Sequence, residues 1–211
     1  LTDVDQGAGA LLARVIVNRL WQHHLGRGIV ATPSDFGERG ERPSHPDLLE
    51  WLAGELVRNG WRLKPIHEMI VGSSVYRQSS ADDAAAARVD PDDVLLWRRP
   101  RRRLEAEVIR DSILAVSGSL DATLYGPGTL DPSSRRRSIY FTVKRSQLTS
   151  MMQVFDAPDA LTPIAVRAAT TIAPQALYLM NNPAVQESAR RFARRAAGPK
   201  SPAERIRSAY R

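Results

Sequence analysis

The 211 residues carry 30 Lys and Arg against 23 Asp and Glu, a formal charge of +7, and 43% of them are hydrophobic. That apolar share is enough for a packed core and excludes a disordered polycation. With no cysteine, the chain cannot form disulfides, zinc–thiolate or iron–sulfur sites, or covalent haem attachments within these residues, whatever its compartment.

No apolar run reaches the ~18 residues of a membrane span. Leu1 to Gly9 lack the basic-then-apolar pattern of a signal peptide. The chain stops at Arg211, within what reads as a helix just begun, so it reads as a segment of a longer protein. Lys64, Lys144 and Lys200 are the only lysines, and arginine supplies the remaining positive charge. A basic balance points toward anionic partners. An arginine-for-lysine bias with many alanines is also what a GC-rich genome produces.

Helix formers dominate the chain, so helices should outnumber strands. The first predicted helix runs from Ala10 to Leu25, with Leu12, Ile16 and Leu20 as an apolar stripe and Leu11 and Val15 beside it. Gly26 should end it, with His23 and His24 in its last turn. A turn-rich stretch from Ala31 to Gly37 follows. Ser44 then reads as a cap, with Pro46 in the first turn and Asp47 near the free amides. Leu48, Leu49, Leu52 and Leu56 line that second helix, which Asn59-Gly60 closes. A third is predicted over Pro65–Ser73 on Ile66, Met69 and Ile70.

The Ala-, Asp- and Ser-rich stretch 79–93 reads as a flexible linker or loop. It would divide an N-terminal helical half, 1–78, from a C-terminal half, 94–211, unless the whole is one domain. Arg102–Ser117 has helical spacing, and Gly118 should stop it. Ser138 to Lys144 alternates like a strand, with Ile139, Phe141 and Val143 on one face and Ala165–Thr171 as its candidate partner. Helices are predicted again over Pro174–Met180 and Pro183–Ala197, and Ser201 with Glu204 forms a capping box. The expected fold is mainly α: a multi-helix domain with one small strand pair or hairpin.

Several local patterns hold a family resemblance. They include Val17-Asn18-Arg19-Leu20-Trp21-Gln22-His23-His24, Thr32-Pro33-Ser34-Asp35-Phe36-Gly37 and Pro43-Ser44-His45-Pro46-Asp47. Gly60-Trp61-Arg62-Leu63-Lys64, Tyr76-Arg77-Gln78-Ser79-Ser80, Leu96-Trp97-Arg98-Arg99 and Arg101-Arg102-Arg103-Leu104-Glu105 continue the series. Phe155-Asp156-Ala157-Pro158-Asp159 and Gln175-Ala176-Leu177 through Asn181-Asn182 complete it. In this order they resemble the planctomycete PSD domain of unknown function (domain of unknown function 1553). Leu25 departs from a frequent aromatic, and Arg167 stands alone before Ala168-Ala169-Thr170 where a basic pair is expected. The resemblance implies a C-terminal module of a large exported, periplasmic or otherwise extracytoplasmic protein with cytochrome-c-like neighbours. It implies no reaction.

His67-Glu68 begins like a zinc-protease helix, but Val71 takes the place of the second histidine. His23, His24, His45 and His67 lie on three elements, and no metal or other cofactor is expected from them. No Gly-rich phosphate loop, nucleophile elbow or dinucleotide fingerprint is present. Trp21, Trp51, Trp61 and Trp97 read as core anchors rather than sugar platforms.

The densest feature is Arg98-Arg99-Pro100-Arg101-Arg102-Arg103, placed at a predicted helix start where cations are unfavourable. Glu105, Glu107, Asp111, Asp156 and Asp159 are the candidate internal partners. The alternative is an anion site that Lys144 and Arg145 would join.

Three readings stand. One is a non-catalytic interaction or scaffold module contacting other domains of its own polypeptide. Another is an enzyme on polyanionic polysaccharide, with His45, Asp35 and Arg102 as the residues to test. The last is polyanion binding on an arginine-rich face, with nucleic acid the less expected ligand for want of a recognisable motif.

Overall fold

A computed structural model describes the chain apart from Leu1, Asp5, Gln6, 145–148, Ala160, Thr162, 199–200 and Arg211. It divides into two compact units, Leu1–Arg102 and Arg103–Arg211.

The first unit is built on three helices: α1 (Gly9–Leu25), α2 (Pro46–Arg58) and α3 (Leu63–Gly72), each packed on the other two. The buried stripe of α1 is Ala13, Val17, Trp21 and Leu25. It lies one residue C-terminal of the predicted Leu12–Ile16–Leu20 stripe, because Trp21 and Leu25 extend that line by a further turn. Ile16 and Leu20 flank it, partly buried. Leu49, Leu52 and Leu56 of α2 and Ile66 and Ile70 of α3 close the core, as their spacing predicts. Each such side chain contributes about 1.5–3 kcal/mol when buried from water. Gly26 ends α1 with φ of 93°, a conformation that favours glycine.

Asn18 is fully buried in this apolar setting. Its amide donates to the Val30 carbonyl at 3.0 Å and accepts from the Val30 N–H at 2.8 Å, fixing the chain that leaves α1. Ser44, the predicted cap of α2, donates instead to the Ile29 carbonyl. His45 occupies the cap position without a side-chain cap bond.

The segment 79–93 lies inside this unit and is locally ordered by its own aspartates. After the short α4 (Ser74–Arg77), Asp83 accepts from the Ala85 and Ala86 N–H groups and opens α5 (Ala84–Val89). Asp90 accepts from the Val94 and Leu95 N–H groups. The Arg99 N–H donates to the Ser79 carbonyl at 2.9 Å and closes the loop at its base.

The second unit holds α6 (Ala106–Val116), a 3-10 turn (Ser138–Tyr140), α7 (Ser150–Val154), α8 (Ala173–Asn181), α9 (Pro183–Ala196) and α10 (Pro202–Ala209). Its core gathers Ala106, Met151, Met152 and Phe155, with Ile109, Ile113, Phe141 and Tyr178 packed on them. Ser201 and Glu204 form the predicted capping box at α10.

The predicted strand pair is absent from the described residues. Ser138–Tyr140 winds into the 3-10 turn, and Phe141 makes only an isolated bridge with Thr129. Ala165–Thr171 contributes no strand. The alternation in Ile139–Val143 does not mark a half-buried strand, since Ile139 is 74% and Val143 70% exposed. Without a neighbouring strand, a lone extended segment has no ladder partner. The chain is therefore mainly helical, with no sheet among its described residues.

The arginine segment as candidate functional site

The arginine run does not start a helix. α6 begins at Ala106, and residues 98–103 precede it in irregular conformation. The unfavourable meeting of cations with a helix N-terminus is thereby avoided, and Glu107 occupies the first turn instead.

Within the first unit, two of the guanidinium groups reach the opposite end of another helix. Arg99 donates to the His24 carbonyl at 2.9 Å and to the Tyr76 carbonyl at 3.3 Å, and stacks 3.9 Å over the Tyr76 ring. Arg102 donates to the His23 carbonyl at 2.7 Å. Both carbonyls lie in the last turn of α1, where helix geometry leaves acceptors without partners and partial negative charge accumulates. The Gly26 N–H takes the Gln22 carbonyl at 2.7 Å. Two arginines, 75 and 79 positions downstream of the carbonyls they reach, thus complete a helix end begun by glycine.

Arg98 pairs with the Asp82 carboxylate and lies over the Trp97 ring. Arg101 donates to the Ser80 carbonyl at 2.9 Å, and its guanidinium stands 3.5 Å from Asp82. Asp82 belongs to the low-complexity stretch and carried no sequence signal as a partner.

Beside the clasp, His24 Nε2 and His67 Nδ1 share a hydrogen bond of 2.7 Å, joining α1 to α3. Burial, helped by the charges of His67 and Arg99, holds the His24 imidazole below its ordinary value of 6.5. No cluster of three or more His, Cys, Asp or Glu able to hold a metal occurs among the described residues.

In the second unit, Arg103 bonds the Asp156 carboxylate, with both side chains largely buried. The Arg103 Nε is also buried and has no hydrogen-bond acceptor. The Thr170 N–H donates to Asp156 at 2.8 Å and the Thr170 hydroxyl at 2.9 Å. These donors, the Thr170 N–H foremost, hold the Asp156 carboxyl below the ordinary range against the opposing effect of desolvation, with Arg103 assisting.

Glu105 stands at the N-cap position of α6. It pairs at 3.0 Å with Arg167, which also grips Glu107 through two bonds of 2.7 Å. Arg167, the residue standing where a basic pair was sought, is thus the hub of a three-residue ion network. Its hydrogen bonds hold the Glu107 carboxyl low.

Asp111 accepts from the Ser138 N–H and hydroxyl, and stands 3.6 Å from both Arg110 and Arg137. Arg110, only 8% exposed, donates to the carbonyls of Arg136 and Ser134 and to the Ser138 hydroxyl. Arg195 of α9 donates to the Val116 carbonyl at 2.6 Å and the Ala115 carbonyl at 3.2 Å, so a second helix C-terminus is closed by arginine. Gly118 makes room there: a Cβ would stand 3.2 Å from the Arg195 side chain.

The remaining candidates are dispersed. Lys144 and Asp159 are exposed, and Asp159 accepts from the Leu161 N–H at 3.1 Å. Arg145 lies outside the described residues. In the first unit a cleft of about 480 Å³ is lined by Arg102, Ser44 and other residues, but His45 and Asp35 are not among its walls. His45 Nδ1 lies 2.9 Å from the Ser44 hydroxyl, and Asp35 is exposed.

No curated protein and no solved structure matches the chain. Residues 4–211 do match one family, so the arrangement of arginines described above belongs to a member of PSD1, the proteins of unknown function DUF1553.

Proposed function

We propose that the chain is a non-catalytic interaction module within a larger exported multidomain protein. The observation that supports this most is the occupation of the arginine run. Arg98, Arg99, Arg101, Arg102 and Arg103 each meet a carbonyl or carboxylate of the same unit. Guanidinium groups held this way fix the shape of a scaffold and leave its outward surface for contact.

That surface is apolar in the second unit. On α8, Leu177 is 54% and Met180 68% exposed, with Leu179 also open to solvent, as is Ile172 at the N-cap position just before it. Apolar side chains grouped on one short helix mark a contact face more often than a solvated one. The partner in this reading is another domain of the same polypeptide, cytochrome-c-like by the resemblance, in an extracytoplasmic compartment.

Hydrogen exchange compared between this chain alone and the intact polypeptide tests the proposal. The α8 amides should exchange at least tenfold more slowly in the intact protein. Equal rates along α8 in both would refute it.

A further inference from the structure

The second unit holds a cavity of about 250 Å³ that lies apart from the arginine run. Its apolar walls are Ile113 and Leu114 of α6, Phe141, Met151 of α7, Tyr178 of α8 and Val185 of α9. All six are buried or half-buried, whereas Ser133 and Arg135 at its edge are exposed. Apolar walls with a few polar groups at the opening are the usual build of a small-molecule site.

Arg110, Arg135 and Arg191 also line the cavity, against Glu187 alone. The carboxylates next to these walls do not cancel the difference. Asp111 stands 3.6 Å from Arg110 but equally 3.6 Å from Arg137. Glu187 lies 3.1 Å from Arg191 and 3.7 Å from Arg190. Asp131 accepts from the Ser133 N–H and hydroxyl, and Asp121 is faced by Arg136. Six arginines thus meet four carboxylates, an excess of two positive charges.

The excess rests on Arg135, whose side chain has no ion pair or hydrogen bond among the described residues. Arg191 donates to Glu187 through Nε, and its Nη groups make no hydrogen bond among the described residues. Arg110 is held by the Ser134 and Arg136 carbonyls and so adds charge rather than contact.

We infer that this cavity binds a small monocarboxylic acid, its apolar body among the six walls and its carboxylate on Arg135 and Arg191. A guanidinium fork matches the two oxygens of a carboxylate. An amine would meet the positive excess, and a neutral molecule would leave both forks unused. The site is independent of any partner for α8, since the exposed Leu177 and Met180 are not among its walls.

Isothermal titration of the full chain with octanoate, and separately with octylamine and octanol, tests the inference. Octanoate should bind saturably, one to one, and at least tenfold more tightly than either analogue. From butanoate to octanoate the affinity should rise by up to about fourfold per methylene, as each is buried. Arg135→Gln with Arg191→Gln should weaken octanoate at least tenfold, leave octanol within twofold, and unfold within a few degrees of the parent. Arg88→Gln, in the first unit, should leave octanoate within twofold. No saturable octanoate binding, or octanol or octylamine binding as tightly, would overturn the inference. So would unchanged octanoate binding in a folded Arg135→Gln, Arg191→Gln chain.

Discussion

Replacing Arg99 by methionine keeps an aliphatic stem and deletes the guanidinium. It removes the bonds to the His24 and Tyr76 carbonyls, at 2.9 and 3.3 Å, and the stacking on Tyr76 at 3.9 Å. A hydrogen bond from a charged donor contributes about 1.5–3 kcal/mol, and the longer of the two belongs at or below the bottom of that range. Stacking over an aromatic ring adds about 0.5–2 kcal/mol. The site is half-buried, so solvent replaces part of each contribution and the sum falls to about 2–4 kcal/mol. All four tryptophans, at positions 21, 51, 61 and 97, lie in the first unit, so their fluorescence follows that unit's unfolding in urea. With a slope of about 2 kcal/mol per molar, the midpoint should fall by about 1–2 M. Arg99→Lys should recover less than half, because an ammonium cannot span two carbonyls and a ring as the planar fork does. Arg88→Met, on an exposed position of α5, should change stability by no more than about 0.5 kcal/mol. A midpoint shift below about 0.3 M for Arg99→Met would refute the claim that arginine closes α1.

Further outcomes follow from other buried groups. Asn18→Leu should destabilise the first unit by about 2–6 kcal/mol in the same assay, because both polar groups of Val30 lose their partners inside the core. Asp156→Asn should cost the second unit about 1–3 kcal/mol, read by circular dichroism during unfolding; asparagine tolerates the φ of 60° at that position, so charge is isolated from backbone strain. Because the folded Asp156 and Glu107 carboxyls titrate below their ordinary values, their stabilisation is complete above about pH 5.5, begins to fall as pH drops through the ordinary carboxylate range and is lost below the depressed values. His24 works the other way round. Its folded imidazole stays neutral below 6.5, so the unfolded chain binds more protons there and stability declines as pH drops from 6.5. Tryptophan-monitored midpoints should fall between pH 7.5 and 5.5, by at most about 1.4 kcal/mol per pH unit for this single group, and His24→Gln should flatten that slope.

Much of the helical framework is legible in the sequence, because its signals are local. Pro46 in a first turn, Asn59 and Gly26 at helix ends, and Ser201 with Glu204 act within a few residues of themselves. The α2 and α3 core faces follow from apolar spacing alone. Periodicity failed at Ile139–Val143, since alternation describes a strand only when a second strand receives it, and here Ile139 and Val143 face solvent while only Phe141 packs on the core. Composition also underdetermined 79–93: alanines flanked by aspartates suit a capped helix as well as a loose linker, and Asp83 settles the matter locally.

The arginine run was visible as an anomaly, yet its partners were not. Carboxylates are the partners that charge counting suggests, and they serve Arg98, Arg101 and Arg103. Arg99 and Arg102 donate to backbone carbonyls of α1, which every residue possesses and no sequence pattern flags. The one hint was the helix end itself, with its unpaired acceptors and only histidine to offset them. The His24–His67 bond joins residues 43 apart and has no local signature either.

The central claim, that guanidinium groups of this run are tied into the chain's own acceptors, is tested most directly by nitrogen-detected magnetic resonance of the arginine side chains. Arg99 and Arg103 should give separate, slowly rotating Nη signals whose protons exchange slowly with water, unchanged by 0.5 M salt. Averaged signals with solvent-fast protons for both residues, like those of free arginine, would contradict it.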